Sequence, residues 1–428
     1  MHSRFPCIFH VDLLTLIIRR NCQEHQEVRV QSKPFRYSMF GLLYFSQGTV
    51  LSYFTALNAL YLLSFGLSMQ DIGIFASIAL IPFVIKIFLG MLSDRVNLLG
   101  FGHRKPYIII GLFVQALCLI AVPFINPAEQ YWVFVALAFI LQMGMALYDT
   151  CTDGLALDTT PAEEEGTIQG FMVAGRALGV VLTASLVGYL AQNAGWKTVF
   201  WTLAVFTLLP LPLVIGMKEA ARPEERSFDW GAFKAFRQKT VMALSGIGFV
   251  FFLIIAGVNQ LVNPFLEQRF GIDLATAGYI TTVWGSGVVL GGIFGGRIMN
   301  KIGKHNAVRI AIAVSILSCL LLAFTPGTTA AWIIVAFFGL AYGTYQTVYF
   351  ALAMSYTETR IAASMFAILM AVSNIAQGAG MALSGFSADR FGFVDTFLFF
   401  AVINVLALPL LPVLFRSKEN HNSQALAG

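Results

Sequence analysis

Charged side chains are scarce in this sequence, and their scarcity excludes an ordinary water-soluble fold. Asp, Glu, Lys and Arg make up 11% of the 428 residues, and hydrophobic residues make up 57%. Soluble domains usually carry about 25% charged residues. The long apolar runs also lack the alternation of apolar and polar residues that the strands of a membrane β-barrel require. The composition therefore predicts an all-α polytopic membrane protein.

Patterns for disulfide, metal or nucleotide chemistry are missing as well. The five cysteines are scattered and show neither metal-ligand spacing nor an extracellular pairing pattern. No Gly-x-x-x-x-Gly-Lys-Ser/Thr phosphate loop is present, which argues against an ATP-driven pump. All six histidines fall outside the apolar runs, so an intramembrane enzyme would lack its His/Asp or metal cluster. We therefore expect no enzymatic activity, no cofactor, no metal and no nucleic-acid partner.

Apolar runs long enough to cross a bilayer occur twelve times. A spanning helix needs about 20 mainly apolar residues. The runs fall near 38–64, 70–92, 107–126, 131–157, 167–191, 197–217, 241–265, 275–298, 307–325, 330–354, 362–385 and 394–415. Most basic residues outside these runs lie on the side shared by both termini. Because basic loops favour the cytoplasm, we expect both termini there, in a bacterial inner membrane or an organelle membrane.

A polar segment near the middle of the chain divides the spans into two sets of six. We read 218–240 as a cytoplasmic linker between bundles at 37–217 and 241–416. Residues 1–36 and 417–428 are then cytoplasmic tails, since the apolar part of the first is too short to span.

The two halves repeat each other. Residues 188–196 match 385–393, between the fifth and sixth span of each half, and 90–95 match 296–301 after each second span. Two six-helix repeats related by an axis along the membrane normal are known in one transporter architecture. The sequence therefore predicts two pseudo-symmetric bundles.

The loop after the second span resembles the signature of the major facilitator superfamily. The residues concerned are Gly90-x-x-x-Asp94-Arg95 followed by Arg104-Lys105. The resemblance covers about residues 38–416 and implies the major facilitator fold. It also implies a cytoplasmic gate in which Asp94 faces the N-terminus of the eleventh span. The alternative is a plain surface salt bridge, worth under about 1 kcal/mol.

Two narrower resemblances concern subfamilies. Residues 82–86 and 102–107 resemble the folate–biopterin transporter family. Asp149-x-x-x-Asp153 and Arg176-x-x-Gly179 resemble the muropeptide permeases and their acetyl-CoA transporter relatives, although Glu165 stands where that pattern usually has Arg. These resemblances imply a secondary transporter for an organic, anionic or amphiphilic solute, often driven by protons.

Four charged residues lie inside the predicted spans and away from the span ends. With a rise of 1.5 Å per residue, Lys86 and Asp153 lie roughly six residues, or ~9 Å, from the cytoplasmic end, and Asp149 and Arg176 lie near the midplane. Equal depth predicts the ion pairs Lys86–Asp153 and Asp149–Arg176. Asp158, nearer the surface, is expected to join either Arg104 or Lys105.

The role of these charges is open between two readings. A static pair could assemble the bundle, since an intramembrane charge needs a partner. Alternatively, Asp149 with Arg176 could bind a proton or the substrate, because a carboxylate pair breaks on protonation and Arg suits an anionic group. We single out Asp149 as the residue for function.

Amide and aromatic residues complete the candidates for a central cavity. The amides are Gln47 and Asn58 in the first span, Asn259 and Asn263 in the seventh, and Asn374 and Gln377 in the eleventh. The aromatic residues are Tyr44, Tyr53, Trp284, Tyr342, Tyr345 and Tyr349. These side chains could bind substrate, or the amides could only link helices to one another.

Glycines at small-xxx-small spacing predict close helix contacts. They include Gly175 and Gly179 in the fifth span and the pair Gly287 and Gly291 in the eighth. We expect these faces to form the surface on which the halves rock against each other.

Taken together, the sequence predicts a monomeric secondary transporter that moves a small molecule by alternating access with coupled protons. The alternative is a transport-like assembly factor or sensor without solute flux. The intramembrane charges favour the transporter.

Overall fold

Helices are the regular secondary structure throughout the part of the chain that the structure describes. The computed structural model describes residues 32–98, 102–160, 165–217, 219, 237–356 and 362–415. In chain order the helices are α1 (Lys33–Ala56), α2 (Asn58–Leu63), α3 (Met69–Ala79), α4 (Ile81–Arg95), α5 (Lys105–Ala121), α6 (Tyr131–Thr159), α7 (Glu165–Leu208), α8 (Leu211–Gly216), α9 (Lys239–Phe270), α10 (Leu274–Ile302), α11 (Lys304–Ala323), α12 (Thr328–Tyr356), α13 (Ala362–Phe391) and α14 (Phe393–Ile403). Most of the two predicted tails and of the linker lies outside the described residues.

The twelve predicted spans are all helical. Within the residues that the structure describes, ten segments are long and apolar enough to cross a membrane, and one of them, Phe171–Gly216, is 46 residues long. This segment holds the fifth and sixth spans, because the backbone of α7 turns at Gly195, where φ is 79° and ψ is 165°. The first span, formed by α1 and α2, is not among the ten. It is more polar, and it buries Ser46, Gln47 and Thr49 against the bundle.

Pro82 divides the second span into α3 and α4. It stands in the first turn of α4, where the N–H that proline lacks has no helical acceptor to lose. Lys86 follows one turn later, so this break lies beside an intramembrane charge.

The helices pack as two related halves, as predicted. In the first half α1 packs along α7, and in the second half the equivalent α9 packs along α13. The halves meet along two seams: α3 with the start of α4 against α13, and α7 against α10. We call the end of the bundle that carries residues 33 and 415 the terminal face and the other end the opposite face.

The predicted role was wrong for the two glycine pairs named above. Gly175 and Gly179 contact the backbone of α1, and Gly287 and Gly291 contact the backbone of α12. Each pair therefore packs inside its own half and not between halves. Small-xxx-small spacing specifies a close approach but does not specify the partner.

The tight packing at Gly291 gives a first prediction. A Cβ at this position would meet the backbone of Leu340 on α12, and a backbone contact cannot move aside as a flexible side chain can. We expect Gly291→Ala to destabilise the protein by about 1–3 kcal/mol, measured as thermal unfolding in detergent. Gly216→Ala is the control, because no atom lies within 4 Å of a Cβ there. Equal unfolding temperatures for the two variants would contradict the prediction.

Candidate functional site

A cavity of about 350 Å³ lies between the two halves. This volume is within the range of small-molecule sites. The lining residues are Tyr44, Phe83, Val84, Lys86, Ile87, Asp149, Thr150, Asp153, Arg176, Met370 and Ala371. All the charged members come from the first half, and the part of the second half that lines the cavity, on α13, is apolar.

Lys86 forms an ion pair with Asp149 across the cavity wall. The distance from Nζ to Oδ2 is 3.2 Å, and Asp149 is 6% exposed. The predicted pairing of Lys86 with Asp153 was therefore wrong. Asp149 lies one helical turn deeper, about 5.4 Å, and the four-carbon stem of lysine spans that difference.

Asp153 is held by a tyrosine. The hydroxyl of Tyr44 on α1 donates a hydrogen bond to Oδ1 of Asp153. Within the described chain Asp153 makes no ion pair shorter than 4 Å. The sequence placed Tyr44 among the aromatic candidates, but nothing in it indicated this partner, which lies 109 residues away.

Arg176 projects into the cavity with an exposed side chain. Its predicted partner Asp149 is occupied by Lys86, so the expected Asp149–Arg176 pair is also wrong. No carboxylate of the described residues lies within 4 Å of its guanidinium. Glycines fix its position, because a Cβ at Gly48 would meet the backbone carbonyl of Arg176 and one at Gly175 would meet Gly41. The close approach of α1 and α7 thus sets Arg176 beside Tyr44.

Two of the predicted amide residues, Asn263 and Asn374, link helices, and Gln377 binds Asn374 on the same helix. Asn263 Nδ2 donates to the carbonyl of Ala56 at 2.5 Å and to Thr281 Oγ1 at 3.0 Å. Asn374 Nδ2 donates to the carbonyl of Phe83 at 2.9 Å, and Gln377 donates to Asn374 at 3.2 Å. Two of these bonds join the first half to the second. The linking role is therefore the one that the structure shows.

The other predicted amide and aromatic residues are not among those that line this cavity. Gln47 is buried on α1, Asn58 lines a small apolar cavity within the first half, and Asn259 is half-buried on α9. Tyr345 and Tyr349 are 1% exposed and pack around Phe251 and Phe252. They form part of the core of the second half.

The residues of the gate signature have separate positions. Gly90 lies against Thr150, where a Cβ would approach a methyl group to 3.0 Å, and Arg95 is exposed at the end of α4. The side chain of Asp94 lies outside the described residues, so its predicted gate contact stays a prediction.

Arg104 and Lys105 hold the terminal face of the first half together. Arg104 donates to Ser93 Oγ at 2.5 Å and pairs with Asp158 at 3.4 Å, so the first of the two expected partners for Asp158 is confirmed. Lys105 Nζ donates to the carbonyls of Ile215 and Met217 at 2.6 and 2.8 Å. Both side chains therefore bind within their own half.

Glu219 is a residue that the sequence reasoning missed. Its carboxylate accepts hydrogen bonds from the backbone N–H groups of His103, Arg104 and Lys105, at 2.8–3.0 Å. An anion is favourable at a helix N-terminus, so Glu219 caps α5 and ties the start of the linker to it. The feature of the sequence that could have indicated this role is the position of Glu219 as the first acidic residue after the predicted sixth span.

Removing one member of the Lys86–Asp149 pair tests how much the folded protein depends on this ion pair. Lys86→Met leaves a buried carboxylate unpaired, and we expect a loss of about 3 kcal/mol in unfolding free energy. Lys86→Met combined with Asp149→Asn should recover most of that loss, because no uncompensated charge remains. Thermal unfolding in detergent measures both, with the exposed Lys301→Met as control. A double variant no more stable than Lys86→Met alone would contradict the pairing.

A family model and several known proteins are similar to this chain. The model of the Major Facilitator Superfamily matches residues 40–376. Anhydromuropeptide permease of Escherichia coli (strain K12) is 24% identical over 413 residues, covering 92% of this chain and 82% of the permease. Sialic acid transporter NanX of the same organism is 23% identical over 264 residues, covering 60% and 62%. Both names agree with the expected transporter function.

A solved structure has the same fold. It is the inward-facing, unoccupied form of a bacterial homologue of the human lysosomal transporter Spinster. The TM-score is 0.76 at 18% identity, and the match covers 90% of this chain and 98% of the homologue. Because the family model matches residues 40–376, the chain belongs to the major facilitator superfamily, and its two related halves with a cavity between them agree with this assignment.

Proposed function

We propose that this membrane transporter moves a small organic anion by alternating access, with a proton as the coupled ion. The observation that carries the proposal is the cavity between the halves, which places an exposed Arg176 beside Asp153. A cavity bounded by both halves can open to either side when the halves rock. By the distribution of basic residues, the terminal face is the cytoplasmic one.

Arg176 is the binding group for the anion. A guanidinium presents donors in a planar fork that matches a carboxylate or phosphate. An intramembrane cation without a protein partner is costly, so a substrate anion is a favourable partner for it. One relative is named as a transporter of sialic acid, which is consistent with an acidic substrate.

Asp153 is the proton carrier in this proposal, in place of Asp149. Asp149 already neutralises Lys86 at 3.2 Å, and protonating it would leave a lysine unpaired. Asp153 lines the cavity and is bound by the neutral hydroxyl of Tyr44. It can therefore take up and release a proton without breaking an ion pair. Lys86 and Asp149 hold α4 and α6 together while this happens.

Replacing Asp153 separates coupling from binding. We expect Asp153→Asn to abolish uptake driven by an inward proton gradient while exchange of substrate across the membrane continues, because an amide cannot carry the proton. Proteoliposomes subjected to a pH jump, with labelled sugar acids and sugar–peptides, measure both activities. Glu129→Gln, an exposed carboxylate on the opposite face, is the control.

The same assay has two outcomes that oppose the proposal. Gradient-driven uptake that persists in Asp153→Asn removes Asp153 as the carrier. No uptake of any probe by folded wild-type protein would favour the assembly factor or sensor instead.

Replacing Arg176 tests the choice of substrate. Loss of a charge-assisted bidentate contact costs about 1.5–3 kcal/mol, so we expect Arg176→Gln to raise KM for the transported anion about tenfold or more. Arg176→Lys keeps the positive charge but lacks the planar fork of donors. Its KM should therefore lie between that of the wild type and that of Arg176→Gln. An unchanged KM in Arg176→Gln would show that the anion binds elsewhere.

A further inference from the structure

Asp389, near the end of α13, binds the start of α3 in the other half. Its Oδ1 accepts a hydrogen bond from the N–H of Met69 at 3.1 Å, and its Oδ2 accepts one from the N–H of Gln70 at 2.6 Å. The first N–H groups of a helix have no partner within the helix, and the helix dipole favours an anion at this end. A carboxylate of the second half therefore caps a helix of the first half.

The other seam has a contact at the equivalent position. Gln192 on α7 accepts a hydrogen bond through Oε1 from the N–H of Leu274, at the start of α10, at 3.3 Å. In the internal repeat, where 188–196 match 385–393, Gln192 stands at the position of Asp389. Both contacts lie on the opposite face of the bundle. The repeat thus places one capping side chain on each seam.

Glycines bring the helices close together at both contacts. Gly188 and Gly385 also occupy equivalent positions in the repeat, one turn before the capping residues. A Cβ at Gly188 would meet the backbone of Leu274, and one at Gly385 would meet the backbone of Met69. The close approach on this face is therefore built into the repeat and does not depend on one side chain.

We propose that Asp389 is a latch that keeps the opposite face closed and must release before the cavity can open there. Its two charge-assisted bonds make the α3–α13 seam the stronger closure, because Gln192 contributes one longer bond from a neutral amide. The inference rests on the proposed alternating access. Its test measures conformation and not uptake, so the two can fail separately.

The sequence places a second carboxylate at the other end of the same seam. Asp94 lies at the end of α4 and is predicted to face the start of α13. In the internal repeat it matches Asn300. One seam then carries Asp at both ends, and the other carries the amides Gln192 and Asn300.

Distance measurements across the opposite face test the latch. Spin labels at Ala128→Cys and Thr329→Cys sit on exposed positions of different halves, away from the latch, in full-length protein with Cys7 and Cys22 replaced by Ser. We expect Asp389→Ala to raise the ratio of open to closed distances about tenfold, and Asp389→Asn, which keeps an acceptor oxygen, about threefold. Gln192→Ala should produce a smaller shift than Asp389→Ala.

Asp395→Asn is the matched control for this experiment. Asp395 is an exposed carboxylate on the same face and the same half, in the first turn of α14. Its variant should give the wild-type distance distribution. A wild-type distribution in Asp389→Asn overturns the latch, because this isosteric change removes the charge and leaves the packing in place. An equal shift in Asp395→Asn overturns it as well, since any loss of surface charge would then suffice.

Discussion

The cost of a charge inside a bilayer is the constraint on which the site depends. Insertion scales put that cost at about 2.5–3.5 kcal/mol for Asp, Lys or Arg at the centre of a spanning helix. Each intramembrane charge therefore needs a partner or a wet cavity. Lys86 and Asp149 pair with each other, Asp153 binds the hydroxyl of Tyr44, and Arg176 lies exposed in the cavity. The charges keep this space polar, while glycines set the distance between the helices that carry them.

The sequence predicts much of the fold because length and hydropathy are local properties. The twelve spans and the repeated halves follow from positions along single segments, whereas for Asp158 the sequence left Arg104 and Lys105 as two possible partners. Depth can also be read from the helical rise, but depth does not fix which neighbours meet laterally. The predictions that Lys86 pairs with Asp153 and that Arg176 pairs with Asp149 were therefore wrong.

Contacts between distant elements account for what the sequence did not predict. Tyr44 and Asp153 are 109 residues apart, Glu219 is 114 to 116 residues from the N–H groups that it caps, and Asp389 is 320 residues from Met69. The repeat contained Asp389 at a matched position, yet its acceptor role depends on where α3 begins in space. The glycine pairs in α7 and α10 show the same limit, since their spacing predicts a close approach without specifying the partner helix.

One seam joins the latch to the charged cavity. On the opposite face, α13 contacts α3 at Met69. Further along the same seam, Ser77 Oγ on α3 donates to the carbonyl of Gly378 on α13 at 2.6 Å. Helix α13 contacts α4 where Asn374 donates to the carbonyl of Phe83, three residues before Lys86. Energetic coupling between sites is carried by such contiguous packed and hydrogen-bonded elements. Movement of α13 away from α3 therefore breaks bonds that lead, step by step, to the helix holding Lys86.

The other seam is built differently. Besides the bond to Gln192, α7 and α10 are joined by hydroxyl bonds, between Ser185 and Thr282 at 2.7 Å and from Thr282 to the carbonyl of Val181 at 2.9 Å. Neutral bonds of this kind are weaker than the charge-assisted bonds to Asp389, and hydroxyl groups can rotate to new acceptors as helices shift. In the proposed alternating access, we therefore expect the α3–α13 seam, and not the α7–α10 seam, to hold the opposite face closed.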